Sequence, residues 1–366
     1  MQATRPALLQ NLQLLRILVA VQVVYGHALH EAVELFHMPQ PMDPFSQMNR
    51  IDIFFVISGF ATFYASRGQF GGAGEGARFL RRRLTRLIPL YWLFTGLMVL
   101  AMFLFSGEVA HASFSVEHLL ASLFFVPWPN QDGETLPILI LGWTLNYEIL
   151  FSVLFAMALT LPLRAGMILI TGIIALAALA YPFVPEHVWV LKYWSNPVML
   201  EFVFGMGLAG LFMRGARLSR SQGVLLALGG FALLLAVTAW PDRSLPLRFI
   251  WAGIPAAMIC AGFAFAPQPT TRHWLYDRAA KTAAAGYVLY LAHPFVINIV
   301  ALAWRKAALG SMAGSMLLFV PVTLMASVAL AVVAHRWLEK PLNRYLDKPR
   351  RPRSEPSASG ALVAAE

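Results

Sequence analysis

Apolar runs of roughly 17 to 25 residues, the length a helix needs to cross a bilayer, recur along the whole chain. They fall near residues 12–30, 50–66, 88–106, 139–161, 166–183, 197–213, 222–240, 248–266, 283–303 and 312–334. The pattern predicts an all-α polytopic membrane bundle of about ten transmembrane helices, the structure in which every backbone polar group is satisfied within its own segment. Two stretches depart from it. Residues 107–138 form the longest outer connection, and LLASLFFVPWPN inside it is apolar, too short to span and closed by Pro127 and Pro129. That string predicts a re-entrant or interfacial lid. Residues 349–366 are rich in Pro, Ser and Arg and predict a disordered cytoplasmic tail after one membrane domain over residues 1–348. No internal repeat is visible, which weighs against transporters built from inverted halves.

Composition agrees with the pattern: 58% of residues are hydrophobic and 13% charged, against about 25% charged in soluble domains. With the N-terminus inside, most of the 28 Lys and Arg residues fall on the cytoplasmic side. The outer connections hold only Arg50, Lys192, Arg243, Arg305 and Lys306. The positive-inside bias therefore predicts that both termini face the cytoplasm. It also accounts for most of the net charge of +10, and no basic segment has the aromatic interleaving of a nucleic-acid face. The single cysteine, Cys260, excludes an intrachain disulfide and reads as a small core residue. The first apolar segment is interrupted by Gln13, Arg16, Gln22 and His27, so it reads as a retained helix rather than a signal peptide.

Polar side chains inside these runs carry the candidate chemistry. Arg16 and His27 are eleven residues apart, which a helix turns into about 20° past three full turns and about 16 Å along one face. Such groups are costly in hydrocarbon and turn toward a wet interior, unless the Arg snorkels to one interface and the His bonds near the other. Asp52 opens the second run at the level expected for His27, where a carboxylate could orient that imidazole. Further along the same run, Ser58–Gly59 reads as close helix packing. Arg82, Arg83 and Arg86 lie within one helical turn before Pro89, a fork suited to phosphate oxygens as well as to topology. Glu148 heads into apolar sequence after Trp143 and Asn146 and must be neutral, paired or wet. Tyr287, Tyr290 and His293 share a face ahead of Pro294. His27, His30 and Glu31 have helical spacing but no further ligands, so no metal site is expected.

Six strings, LLRILVAVQVVYGH, IDIFFVISGF, LRRRLTRLIPLYW, GWTLNYE, YVLYLAHP and LEKP, stand in this order over nearly the whole chain. Together they resemble the acyltransferase family 3 of integral membrane O-acyltransferases, most closely the bacterial exopolysaccharide-production acetyltransferases. The resemblance implies about ten helices, acetyl-CoA or another acyl-CoA as donor on the cytoplasmic side, and a glycan or lipid-linked oligosaccharide acceptor. It implies a multi-pass protein of the bacterial inner membrane working beside polysaccharide-synthesis machinery. The family's signature residues match Arg16 and His27, Asp52, Arg83 and Arg86 before Pro89, Trp143 and Glu148, Tyr290 and His293, and Glu339 before Pro341. Gly286 and Val288 stand where the family often has serines, and Ile149 and Leu150 follow Glu148 where polar or aromatic residues are usual.

The resulting expectation is an enzyme that moves an acyl group, acetyl first, from acyl-CoA to a sugar hydroxyl of an exopolysaccharide or other envelope glycan. His27, Arg16, Asp52 and Glu148 are the expected catalytic residues, His27 as general base or transient acyl carrier. Arg82, Arg83, Arg86, Tyr290 and His293 are the expected donor-binding residues. Two other classes compete: a non-enzymatic carrier or glycan exporter whose path the same groups line, and a structural subunit of a polysaccharide synthase. All of the catalytic groups are expected to converge on one cavity.

Overall fold

The computed structural model describes residues 9–36, 51–104, 115–130, 133–238, 247–269, 282, 284–309 and 315–346. The expected tail at 349–366 lies outside these residues, as do 107–114 and 131–132 of the outer connection that carries the expected lid. Helices α1 (Gln10–Leu35), α2 (Ile51–Ser66), α3 (Glu75–Leu104), α4 (Val116–Leu123) and α5 (Gly142–Leu159) form the first half. They are followed by α6 (Leu163–Ala180), α7 (Trp189–Trp194), α8 (Leu200–Met213), α9 (Arg220–Thr238), α10 (Ile254–Phe265), α11 (Gly286–Lys306), α12 (Ser315–Ala334) and α13 (Lys340–Leu346). Eight helical segments among the described residues are long and apolar enough to cross a membrane, and Ile51–Ser66 and Phe249–Phe265 are shorter apolar helices. The fold is thus an all-α polytopic bundle.

Packing is set by small residues as much as by large ones. A Cβ on Gly59 would lie 2.1 Å from the carbonyl oxygen of Phe202, and one on Gly205 would lie 2.0 Å from that of Val56. Helices α2 and α8 therefore cross in backbone contact, which only glycine at both positions permits. One apolar core is built around this crossing, with Phe55, Phe60, Phe151, Phe155 and Phe202 fully buried. A second, around Tyr91, Leu90, Leu291 and Val288, joins α3 to α11. Neither core needs a soluble partner; the outward faces carry exposed Leu, Ile and Phe, as a lipid-facing surface does.

Within the outer connection, α4 is a short helix capped by Ser115, whose hydroxyl accepts from the His118 amide. Trp92 of α3 donates its indole N–H to the Leu123 carbonyl at 2.9 Å, tying this non-spanning helix to the bundle. The start of α3 lies well before the apolar run that announced it: thirteen residues from Glu75 to Leu87, including the arginine fork, are already helical. Two π-turns interrupt the later helices, at Phe249–Gly253 and His335–Glu339. Both bear on the buried charges, since such bulges re-aim side chains.

Candidate functional site

A cavity of about 500 Å³ opens between α1, α2, α3, α5 and α11. Arg16 comes from α1, Ser58 from α2, Arg82, Arg83 and Arg86 from the first turns of α3, Thr144 and Glu148 from α5, and Tyr287 and Tyr290 from α11. The helical period explains the set: on α2 the lining includes Phe54, Ser58, Ala61 and Ala65, spaced by three and four. Four arginines and one carboxylate make up the charged part of the described wall.

The single carboxylate is already spoken for. Glu148 Oε2 accepts from Arg83 Nη2 at 2.8 Å and from the Ser58 hydroxyl at 2.9 Å. Arg83 also donates to Ser58 and, through Nε, to Ser152 at 3.3 Å. Ser58 is therefore a working hydrogen-bond partner on the cavity wall rather than the packing residue its neighbour Gly59 is. Its hydroxyl could have been flagged only by knowing which face of α2 turned inward. Arg82 reaches Gln69 at 3.4 Å, and Arg86 lies within electrostatic reach of Glu339, which is buried and hydrogen-bonded to His335. Tyr290 shares a hydroxyl–hydroxyl bond of 2.8 Å with Thr144 and donates to the Leu141 carbonyl. Tyr287 donates to the Leu87 carbonyl at 2.7 Å. What the wall presents inward is guanidinium charge and hydroxyl groups, an arrangement that attracts phosphate.

The expected convergence on one cavity is only partly met. Arg16, Arg82, Arg83, Arg86, Glu148 and Tyr290 share it, but His27, Asp52 and His293 do not line it. Along α1 the lining ends at Ala20, so His27 stands two turns, or about 10 Å, beyond. His293, expected at the donor, is fully buried one turn past Tyr290, and its ring lies 5.1 Å from that of His27.

Asp52, expected to orient His27, is placed elsewhere. It sits on the α2 face that carries Val56 and Gly59 and meets α8, not on the cavity face. Both its oxygens are taken by Arg248, Nε to Oδ1 at 2.8 Å and Nη2 to Oδ2 at 3.0 Å. Arg248 directly precedes the π-turn and also faces the Trp143 ring at 5.8 Å. A second carboxyl, Glu201 of α8, is fully buried in electrostatic and hydrogen-bonding reach of Asp52. Sequence reasoning missed this cluster: Arg248 and Asp52 are 196 residues apart, and Glu201 was read as part of a span. Among the described residues no group of three or more His, Cys, Asp or Glu could hold a metal ion.

The family 3 acyltransferase domain matches residues 9–336. The exopolysaccharide production protein ExoZ of Rhizobium meliloti is 32% identical over 302 residues, covering 80% of this chain and 89% of that protein. No solved structure matches. With a match running from the start of α1 to the π-turn after α12, this chain belongs to the family 3 membrane acyltransferases.

Proposed function

We propose that the protein transfers an acetyl group, or another short acyl group, from acyl-CoA to a sugar hydroxyl of an exopolysaccharide or related envelope glycan. The observation that carries this reading is the excess of guanidinium around one cavity: Arg16, Arg82, Arg83 and Arg86 surround Glu148, which Arg83 already neutralises. A polyanionic donor with phosphate groups answers that excess, and planar guanidinium forks bind phosphate oxygens in pairs. ExoZ, by its name a protein of exopolysaccharide production, supports a glycan acceptor.

In this reading both termini face the cytoplasm of a bacterial inner membrane, in keeping with the basic loops. The arginine fork at the start of α3 then meets CoA from the cytoplasmic side, and Arg16 stands deeper, on the route toward His27. His27 takes the proton of the acceptor hydroxyl as its oxygen attacks the acyl carbon, and returns it to the departing thiolate. The carrier variant, in which the imidazole holds the acyl group between two half-reactions, uses the same residues. Helix α1 aligns the two groups by period alone, and a donor must extend about 16 Å along it to join them.

The test is purified protein in lipid nanodiscs supplied with acetyl-CoA and the glycan of its host. Release of free CoA with the gain of one acetyl group per modified sugar is expected, and His27→Ala is expected to reduce it by about 10²–10⁴. A carrier or a structural subunit would release no CoA, and that result would overturn the reading.

A further inference from the structure

His27 and His293 come from different helices, α1 and α11, yet their rings lie 5.1 Å apart with planes inclined by 40°. Their surroundings differ: His27 is exposed, whereas His293 is completely buried. Within α11, Nδ1 of His293 lies 3.1 Å from the carbonyl oxygen of Leu289, one turn earlier. A carbonyl oxygen has no proton to give, so Nδ1 carries the hydrogen, and the lone pair of the neutral ring is on Nε2. The backbone of α11 thereby selects the tautomer of a buried ring. The ring of Tyr290, a residue of the cavity wall, lies 6.2 Å from that of His293 between centroids.

We infer that His293 is a positioning residue for His27: when the acceptor is bound, the His27 ring, 5.1 Å away, turns so that its N–H meets Nε2 of His293, which aims the other His27 nitrogen at the acceptor hydroxyl. The inference rests on the acyl-transfer reading and adds how the reacting imidazole is aimed. During transfer the acceptor O–H bond breaks and its proton moves to the His27 lone pair. The oxygen bonds to the acyl carbon, the carbon–sulfur bond breaks, and His27 passes the proton to the thiolate sulfur. Between the two proton transfers His27 is a cation, and the neutral acceptor of His293 stabilises it without itself exchanging a proton. A ring fixed by burial and a backbone hydrogen bond gives this orientation with little rotamer freedom left to lose.

The experiment compares His293→Gln, which keeps an acceptor oxygen at the end of its side chain, with His293→Leu, which keeps volume but no acceptor. In the nanodisc assay His293→Leu should lower kcat by about 10–100-fold, the usual loss for removing the partner that orients a functional histidine. The KM for acyl-CoA should stay unchanged, and His293→Gln should recover most of kcat. Equal activity in all three proteins overturns the inference, as does equal impairment of both variants or a loss carried by KM. Solid-state ¹⁵N spectra of histidine-labelled protein, with the His27 signals assigned through His27→Asn, provide a readout independent of turnover and of whether the Leu variant folds. With the glycan acceptor present, one His27 tautomer is expected in the wild type and in the Gln variant; a wild-type mixture overturns the inference. A wild type that releases no CoA would instead sink the acyl-transfer reading, while these spectra still test the orientation.

Discussion

Arg83 with Glu148, and Arg248 with Asp52, are both arginine–carboxylate pairs at 2.8 Å inside the same bundle. The first stands on the wall of a cavity of about 500 Å³ beside three more arginines. The second is closed: Asp52 is fully buried, and the further ionisable group is another carboxyl, Glu201, also fully buried. A wall with four arginines and one carboxylate around open volume has the charge to attract an anion. In the closed cluster the Asp52–Arg248 pair ties α2 to the π-turn before α10, with Glu201 of α8 buried beside it, and it is expected to act as a brace. Polar residues in apolar sequence are therefore a sign of two different things. Volume and the sign of the remaining charge separate them.

Between the two clusters, the larger effect on turnover should come from Arg16 of the open one. Arg16→Ala is expected to lower kcat by about 10²–10³, as removal of a preorganised donor to developing charge does. Arg16→Lys should restore little, because an ammonium cannot reproduce a planar fork. Thermal melting in detergent should hardly change in either variant. A stable, fully active Arg16→Ala protein would break the assignment of the open cluster to the ligand.

The closed cluster should answer in the opposite way. Asp52→Ala leaves Arg248 buried without its carboxylate, a loss of about 3–5 kcal/mol when one partner of a buried pair is removed. Replacing both, as Asp52→Leu with Arg248→Met, should return much of that stability, since a well-packed apolar pair can stand in for a buried ion pair. Activity of the double variant sharpens the comparison. Near-normal turnover makes Asp52 a brace, and a stable but inactive protein makes it part of the chemistry.

How much of this was legible in the sequence divides along the same line. The apolar runs place the helices because burial in lipid requires length and apolarity, and both are written locally. Position along each helix was legible too: Arg16 in the second turn of α1, His27 about three turns further on, Asp52 in the first turn of α2. Rotation about the helix axis was not, because a span that is apolar on all sides carries little amphipathic signal to say which face turns inward. Asp52 and Ser58 thus exchanged expectations, the acid going to the α8 face and the hydroxyl to the cavity. The early start of α3 was hidden because arginines, not apolar residues, form its first turns. Arg248 could not be matched to Asp52 from spacing, since the two are 196 residues apart and meet only through tertiary packing.

A smaller effect is expected at the mouth of the open cluster. Arg86→Gln should raise the KM for acyl-CoA about tenfold, equivalent to roughly 1.4 kcal/mol, with kcat little changed. The remaining KM should depend less on salt, because one fewer charge is available for screening. Arg83→Gln should differ from it. Arg83 also holds Glu148 and Ser152, so that variant should lose stability as well as donor affinity. Identical behaviour of the two variants would show that the Arg83–Glu148 pair is not the structural member of the fork.

The smallest effect belongs to Glu201. Its carboxyl packs so closely on the π-turn that a Cβ on Gly253 would lie 2.9 Å from its Cγ and 3.2 Å from its Oε1. Gln has the same shape, and Asp52 keeps both of its bonds to Arg248 whichever group stands beside it. Glu201→Gln should therefore change stability by less than about 1 kcal/mol, within the range of a substitution that opens no cavity and removes no paired charge. Turnover should be unaltered. Gly253→Ala, which forces the same side chain away, should cost more than Glu201→Gln does. If Glu201→Gln instead keeps its melting temperature and loses acyl transfer, the closed cluster takes part in the reaction, and the division between a ligand site and a brace fails at that residue.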